Sequence, residues 1–373
     1  MPTTVRSFSK INLGLSIGPV RGDGFHSLTT LYQTLGAHDL VTVTAYPASA
    51  TRISLTSNDA RVPADKNNSA ERNTAFNAVR LALDASGSAA EVSIHIEKRL
   101  PIQGGMGAGS ANAAAALIAL ERELKSHGIA TANILEKLRG PEKLRIAAEV
   151  GSDVPLFLVG GAVLGVGRGE EVYPMPDIPA TRCVMALPEI GVSTPQAFRD
   201  WDAIHSAGSL ERNVEREMRA PFASWNVDPK SAQSSTAKLT PPLKSGTLKE
   251  LSRSLASAFC EPHSSGVFAL SEGLAENPLL ALVRTGIEND FEEVVFPKNP
   301  LFGEIKRTLA ASDSPELAAV YAGLSGSGSA LFGLYATEAA ADAAEARLAK
   351  MGIRSMRTET LPRVEYWRRT LVE

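Results

Sequence analysis

Residues 99–125 read RLPIQGGMGAGSANAAAALIALERELK, and this stretch decides the fold. Just before it, Val92, Ile94 and Ile96 alternate as a half-buried strand. Its second half, from about Ser110, is an alanine-rich helix. Between them lie Gly104, Gly105, Gly107 and Gly109. Glycine can take positive φ and lets an anion approach the backbone closely. A helix that starts near Ser110 turns free N–H groups and its positive dipole end toward the same space. Strand, glycine turn and helix N-terminus together make a cradle for phosphate oxygens. The turn has no lysine of its own, so backbone amides must carry much of the binding. Gly107 reads as its most demanding position. Alone, such a turn is more often a plain connection than a phosphate site.

Other phosphate motifs are excluded. Gly105-Met106-Gly107 is followed by Ala108-Gly109-Ser110, which misplaces the third glycine of a dinucleotide fingerprint. There is no G-x-x-x-x-G-K-[ST] and no H-R-D or D-F-G set.

Working outward, Ile11, Leu13, Leu15 and Ile17 alternate as a strand, which puts Lys10, Asn12 and Gly14 on its other face. Short strands are expected at 40–45 and 52–56. Asn73 opens a helix whose inner side is Phe76, Val79 and Leu83, and Gly87 closes it. Another helix, 142–150, stops at Gly151, just before Ser152 and Asp153. Beyond residue 182 the order is strand 183–187, helix 302–309, strands 320–324 and 330–335, helix 338–350 and strand 353–358. That order suits a split βαβ, ferredoxin-like domain. Residues 206–280 are rich in Ser, Thr, Pro and Lys and read as an irregular insertion.

At 373 residues the chain suits two domains. Its net charge of -3 offers no basic surplus for nucleic acid. Cys183 and Cys260 form no framework of disulfides. The start, MPTTVRSFSK, lacks a signal-peptide core, and no apolar run reaches the roughly 18 residues of a membrane span. A cytoplasmic protein without membrane attachment is expected. Oligomeric state is not legible.

Three segments, PTTVRSFSKINLGLSI, LPIQGGMGAGSANAAAAL and LSGSGSALFGLY, resemble the three motifs of the GHMP small-molecule kinases. Further stretches resemble one branch of that family: Arg21-Gly22-Asp23-Gly24-Phe25-His26, Gly151-Ser152-Asp153-Val154-Pro155, Val192-Ser193-Thr194-Pro195, Asn289-Asp290-Phe291-Glu292 and Ser325-Gly326-Ser327-Gly328-Ser329. The resemblance covers about 1–205 and 285–360. It implies an α+β, two-domain GHMP kinase fold. Residues 1–180 would be a ribosomal-protein-S5-like nucleotide domain, and 181–373 a ferredoxin-like domain carrying the insertion.

The resemblance also implies roles. ATP and Mg²⁺ would be the cofactors, and the C2 hydroxyl of the small molecule 4-diphosphocytidyl-2-C-methyl-D-erythritol would be the acceptor. Asp153 would take the hydroxyl proton and Lys10 would be its partner. Gly104, Gly105, Gly107, Gly109 and Ser110 would cradle the triphosphate, with Asn73 and Lys98 around the base and ribose. Asn12, His26 and Thr194 would touch substrate, and Phe25 and Phe198 would sandwich the cytosine. The residues that hold the metal are not implied. Two motif positions depart from the family: Ala108 replaces a glycine and Ala111 a hydroxyl residue. Phe25 stands where most members have tyrosine, which keeps the stacking face. Rival readings are a GHMP kinase for homoserine or a mevalonate derivative, and a nucleotide-binding relative without activity. Phe25, His26 and Phe198 speak against the first, and Lys10 with Asp153 against the second.

Overall fold

The structure, a computed structural model, describes residues 2–67, 69–102, 104–129, 140–206, 288–312 and 314–372. It opens with a long antiparallel pair, β1 (Thr3–Val20) and β2 (His26–Pro47). Both strands run further than their alternating stretches. From Ser7 to Leu15 every residue of β1 is buried. A strand covered on both faces loses its period-two pattern, so alternation marks only part of it.

The N-terminal sheet adds β3 (Arg52–Ser57), β4 (Ala90–Glu97), β5 (Ala162–Val166) and β6 (Glu171–Pro174), in the order β3-β4-β2-β5-β6 with β1 beside β2. β3 and β4 are parallel, so the chain must cross over between them, and α1 (Thr74–Ser86) makes that crossing. Asn73 caps α1: its Oδ1 accepts from Ala75 N at 2.9 Å, a bond whose loss costs about 1 kcal/mol. Gly87 ends it at φ 67°. Of two further helices, α2 (Ala108–Ser126) packs on β1 and β2, and α3 (Gly140–Val150) packs on α1 and α2. The alanines of α2 let it lie close. Ala113, Ala116 and Ala119 share one core with Val41, Val43 and Ile94.

The second sheet holds β7 (Arg182–Leu187), β8 (Tyr321–Leu324), β9 (Leu331–Tyr335) and β10 (Arg354–Glu359), in the antiparallel order β10-β7-β9-β8. β9 lies between β7 and β8, and β7 between β10 and β9, so two split βαβ units interlock in the ferredoxin-like manner. One face, with Val184 and Leu331, is covered by α4 (Thr194–Ser206), α5 (Phe291–Lys298), α6 (Pro300–Ala310) and α7 (Glu338–Lys350). The other, with Cys183, Met185 and Phe332, packs on Ile11, Leu13 and Leu31 of the β1–β2 pair.

The division expected at 180/181 is crossed by a late element. The last helix, α8 (Arg363–Thr370), returns to β1. Its Tyr366 ring lies 5.3 Å from that of Phe8, and Tyr366 Oη donates to Phe157 O at 2.6 Å. Val372 N then donates to Thr4 O at 3.0 Å. Phe8, Leu361 and Tyr366 thereby form a small buried cluster of their own. Beyond residue 206, the insertion expected near 206–280 lies outside the described residues, as does Cys260. Among the described residues no helix is long and apolar enough to cross a membrane.

Candidate active site

β1 delivers Lys10 and Asn12 on one face, two residues apart. Lys10 is 3% exposed, and a cation so buried must be paired. Its Nζ donates to Asn12 Oδ1 at 2.6 Å and lies 3.4 Å from Asp153 Oδ2. Asn12 is fixed in turn, because its Nδ2 donates to Thr30 Oγ1 at 2.7 Å and that hydroxyl donates to Gly14 O at 2.8 Å. Asp153 follows α3 at the Gly151 turn and keeps its side chain 30% exposed. The pair therefore joins residues 143 positions apart, one buried and one open to a ligand.

Tyr32 completes this group, and sequence reasoning missed it. Its hydroxyl donates to Asp153 Oδ1 at 2.9 Å. The β1–β2 register sets Tyr32 opposite Asn12. Burial, then the negative charge of Asp153, push the Tyr32 hydroxyl well above its ordinary pKa, so it stays a donor. One carboxylate oxygen thus faces a cation and the other a phenol. The signal was register, and register becomes visible only once β2 is known to reach back to His26.

The glycine turn lies against Lys10. Lys10 N donates to Met106 O at 3.0 Å. Gly107, φ 69°, is the residue before α2, and Gly105 has φ 70°. A Cβ on Gly107 would come 3.0 Å from Lys10 Cγ and from Phe157 Cζ, so Gly107 keeps the lysine in place as well as the turn open. Gly105 is the more demanding position, contrary to the sequence ranking. A Cβ there would overlap the carbonyl oxygen of Ser325 and lie 3.1 Å from Gly328 O. Gly109 O accepts from Thr74 Oγ1 at 2.7 Å, which ties the start of α2 to the start of α1. Ser110 sits in the first turn of α2, and a Cβ on Gly151 would lie 4.0 Å from its Oγ. The hydroxyl of Ser110 therefore borders the turn that carries Asp153.

The Gly/Ser turn between β8 and β9 closes on this from the second sheet. Ser325 Oγ donates to Gly105 O at 3.0 Å, and Ala330 N to Gly104 O at 3.3 Å. A Cβ on Gly326 would be 3.5 Å from Lys10 Nζ. Asn289 holds the turn from behind, donating through Nδ2 to Leu324 O at 2.9 Å and Gly326 O at 2.7 Å. The three sequence motifs thus meet at one place.

α4 extends the wall. Thr194 Oγ1 lies 2.7 Å from Ser327 Oγ, and residues 194, 198 and 202 share a helix face. Phe198 and Asp202 meet His26 there. The Phe198 and His26 rings stack at 5.2 Å with 9° between planes, and His26 Nε2 lies 3.0 Å from Asp202 Oδ1. His26 Nδ1 lies 2.9 Å from Gly18 O. The flat partner of Phe198 is therefore His26, where the sequence had paired it with Phe25. Phe25 is 54% exposed and holds the Arg168 guanidinium 5.1 Å from its ring centroid.

Asn73 and Lys98 have their polar groups engaged by the protein itself. Asn73 caps α1 and donates to Pro63 O at 3.0 Å. Lys98 Nζ pairs with the buried Asp39 at 2.6 Å. Asp39 also accepts from Arg99 N at 2.7 Å and Leu100 N at 2.8 Å, and so fixes the chain entering the glycine turn.

A buried lysine beside an accessible carboxylate, at the mouth of a glycine cradle, can bind a polyphosphate and take a proton from a hydroxyl. Comparison with known proteins agrees. Residues 73–161 match the family profile "GHMP kinases N terminal domain" and residues 269–354 match "GHMP kinases C terminal". Fold and site define a small-molecule kinase of this class. The chain is 32% identical over 331 residues to a 4-diphosphocytidyl-2-C-methyl-D-erythritol kinase of Solibacter usitatus, covering 89% of this chain and 80% of that protein. It is 40% identical over 213 residues to the Nocardia farcinica kinase of the same name, covering 57% of this chain and 64% of that protein. Among solved structures, a 4-(cytidine 5'-diphospho)-2C-methyl-D-erythritol kinase superposes with a TM-score of 0.58 at 23% identity, covering 96% of this chain and 98% of that one. A homoserine kinase from Cytophaga hutchinsonii superposes with the same TM-score, 0.58, at 19% identity, covering 97% and 95%. These structural likenesses speak for the fold alone. The chain belongs to the GHMP kinases, in the family of the 4-diphosphocytidyl-2-C-methyl-D-erythritol kinases.

Proposed function

We propose that this chain transfers the γ-phosphoryl group of ATP to the C2 hydroxyl of 4-diphosphocytidyl-2-C-methyl-D-erythritol. The observation that carries the reading is the 3.4 Å approach of Lys10 Nζ to Asp153 Oδ2, set against the Gly105–Gly107 backbone. Asp153 accepts the hydroxyl proton late in a loose transfer, when the oxygen has begun to bond phosphorus. Lys10 steadies the negative charge on the migrating group, and Asn12 keeps the ammonium aimed. Tyr32 holds the other carboxylate oxygen, so the carboxylate cannot turn away from the acceptor. Backbone N–H groups at the start of α2 take the phosphates.

Among the described residues no group of three His, Cys, Asp or Glu side chains is suited to a metal. Mg²⁺ needs no such cage, since it keeps waters and leans on substrate phosphates. The hydroxyl of Ser110, at the start of α2, fits that demand and would hold it. When bound, the ion neutralises charge on the β- and γ-phosphates. His26, Phe198 and Asp202 form the wall that would receive the cytidyl end. Phe198, stacked on His26 and 5.0 Å from the Phe291 ring, gives that wall its aromatic surface, and Asp202 can accept from an exocyclic amine.

The test is an ADP-release assay with the cytidyl substrate, homoserine and mevalonate side by side. Turnover of the cytidyl substrate alone is expected. Asp153→Asn should lower kcat by about 10²-fold or more and leave ATP affinity unchanged. Preference for homoserine or mevalonate would overturn the substrate, and ATP binding without turnover of any acceptor would overturn the activity.

A further inference from the structure

The hairpin tip between β1 and β2 ends on Phe25, whose ring is 54% exposed although its backbone is fixed. Phe25 O accepts from Arg21 N at 2.7 Å, and Phe25 N donates to Asp23 Oδ1 at 3.2 Å. The ring joins none of the buried apolar clusters. What it meets is Arg168, whose guanidinium lies 5.1 Å from its centroid. A cation over a ring face is attracted by the ring's quadrupole.

Arg168 sits in the short turn between β5 and β6 and is charge-balanced there. Its Nε donates to Glu170 Oε1 at 3.2 Å, and Glu170 Oε2 accepts from its backbone N–H. The pair calls for no further anion, and the guanidinium keeps a flat face for the ring. The turn is firmly placed. Leu28 N donates to Gly167 O at 2.7 Å, and Gly169 N donates to Val166 O at 2.9 Å. Gly169, φ 102°, lies against the Tyr32–Asp153 pair. A Cβ there would be 2.5 Å from Tyr32 Oη and 4.0 Å from Asp153 Oδ1. One turn therefore touches the surroundings of Asp153 through Gly169 and the Phe25 ring through Arg168. Phe25 in turn precedes His26, the stacking partner of Phe198. An acceptor that reaches from Asp153 to the His26–Phe198 wall passes along this turn.

Building on the acceptor reading above, we propose that Arg168 is a positioning residue for the acceptor substrate. Its guanidinium backs one face of Phe25 and holds the other face toward the cytidyl end. Phe25 makes the contact, and Arg168 acts only through it.

A double-variant cycle in the full chain tests this, with affinity for the cytidyl substrate read by calorimetry and kcat by ADP release. Arg168→Ala should raise Kd for that substrate about two- to fivefold, the size of a part-exposed cation–π contact, while kcat and the melting temperature stay close to the parent's. Phe25→Ala should raise Kd about fivefold or more, since it removes a stacking face. In the Phe25→Ala background, Arg168→Ala should add nothing. A parental Kd in Arg168→Ala overturns the inference. So does an Arg168→Ala effect that persists without the ring, because the guanidinium would then touch the acceptor itself. A parent that binds the cytidyl substrate without turning it over overturns the proposed activity alone, and the Kd cycle still decides the part of Arg168. A parent that does not bind the cytidyl substrate overturns both.

Discussion

Gly105→Ala separates two causes that usually arrive together. Gly105 has φ 70°, and Gly87, at the end of α1, has φ 67°. Left-handed backbone costs a residue with a Cβ about 1–2 kcal/mol at either place. Around Gly87 nothing lies within 4 Å of the added atom. Around Gly105 the Cβ overlaps Ser325 O, a backbone atom that cannot swing aside. Relief needs a backbone shift on the order of an ångström in tightly packed surroundings, which adds about 1–3 kcal/mol. The shift also pulls apart the Ser325 Oγ to Gly105 O bond, at 3.0 Å, worth about 1 kcal/mol net. Gly87→Ala should therefore lose about 1–2 kcal/mol and Gly105→Ala about 3–6 kcal/mol. Urea denaturation of both variants reads the difference directly. Turnover should follow it, because the displaced turn drags Met106 O away from Lys10 N, and Gly87→Ala should keep full kcat. Equal losses in the two variants would refute the packing of the second motif against the third.

Tyr32→Phe should lower kcat by roughly tenfold, as expected when a hydrogen bond to a carboxylate is lost, with little change in ATP affinity; full kcat in steady-state kinetics would remove Tyr32 from any positioning role. Phe198→Ala should raise KM for the cytidyl substrate, since a lost stacking face costs about 1–3 kcal/mol, while leaving ATP affinity unchanged; an unchanged KM would detach α4 from substrate recognition. Alkaline stability should fall steeply. Burial raises the pKa of Tyr32, Tyr321, Tyr335 and Tyr366 above the unfolded value near 10. Below pH 10 both states keep these protons and stability is fully present. Above it the unfolded chain releases them while the native chain does not, so unfolding becomes easier by about 1.4 kcal/mol per pH unit for each group. Phenolate absorbance should show Tyr32, Tyr321, Tyr335 and Tyr366 ionising only as the chain unfolds.

What the sequence disclosed followed local physics. Asn73 and Gly87 were readable as the limits of α1 because a cap and a left-handed stop are local events. β7 was readable as a short continuous apolar run, the mark of a strand covered on both faces, with Val184 and Ala186 toward the helices and Cys183 and Met185 toward the hairpin. The meeting of Lys10 with Asp153 was legible only through motif resemblance, since 143 residues separate them. Tyr32 escaped because its part depends on the register of β1 on β2, which no local pattern encodes. Asn289 stood inside a quoted motif, yet its hold on the 324–326 carbonyls is a tertiary fact. Phe25 and Phe198 could be ranked as aromatic candidates, but which ring faces which depends on how α4 lies against His26.

β1 contributes to more than one interior. Val5 belongs to the core under α1 and α2, Ile11 and Leu13 to the layer between the sheets, and Leu15 and Ile17 to the core beneath α4 to α7. No domain can therefore melt while its neighbour keeps that strand intact, and thermal unfolding becomes a single transition despite the two sheets. The kinetic consequence is severe. Val5 bridges to Leu371 and Leu15 to Asn289, so loops of several hundred residues must close before the first strand is secure. During synthesis the emerging N-terminal half carries Lys10 on a strand whose far partners do not yet exist. The first strand therefore gains its full set of partners only once residue 371 has been made.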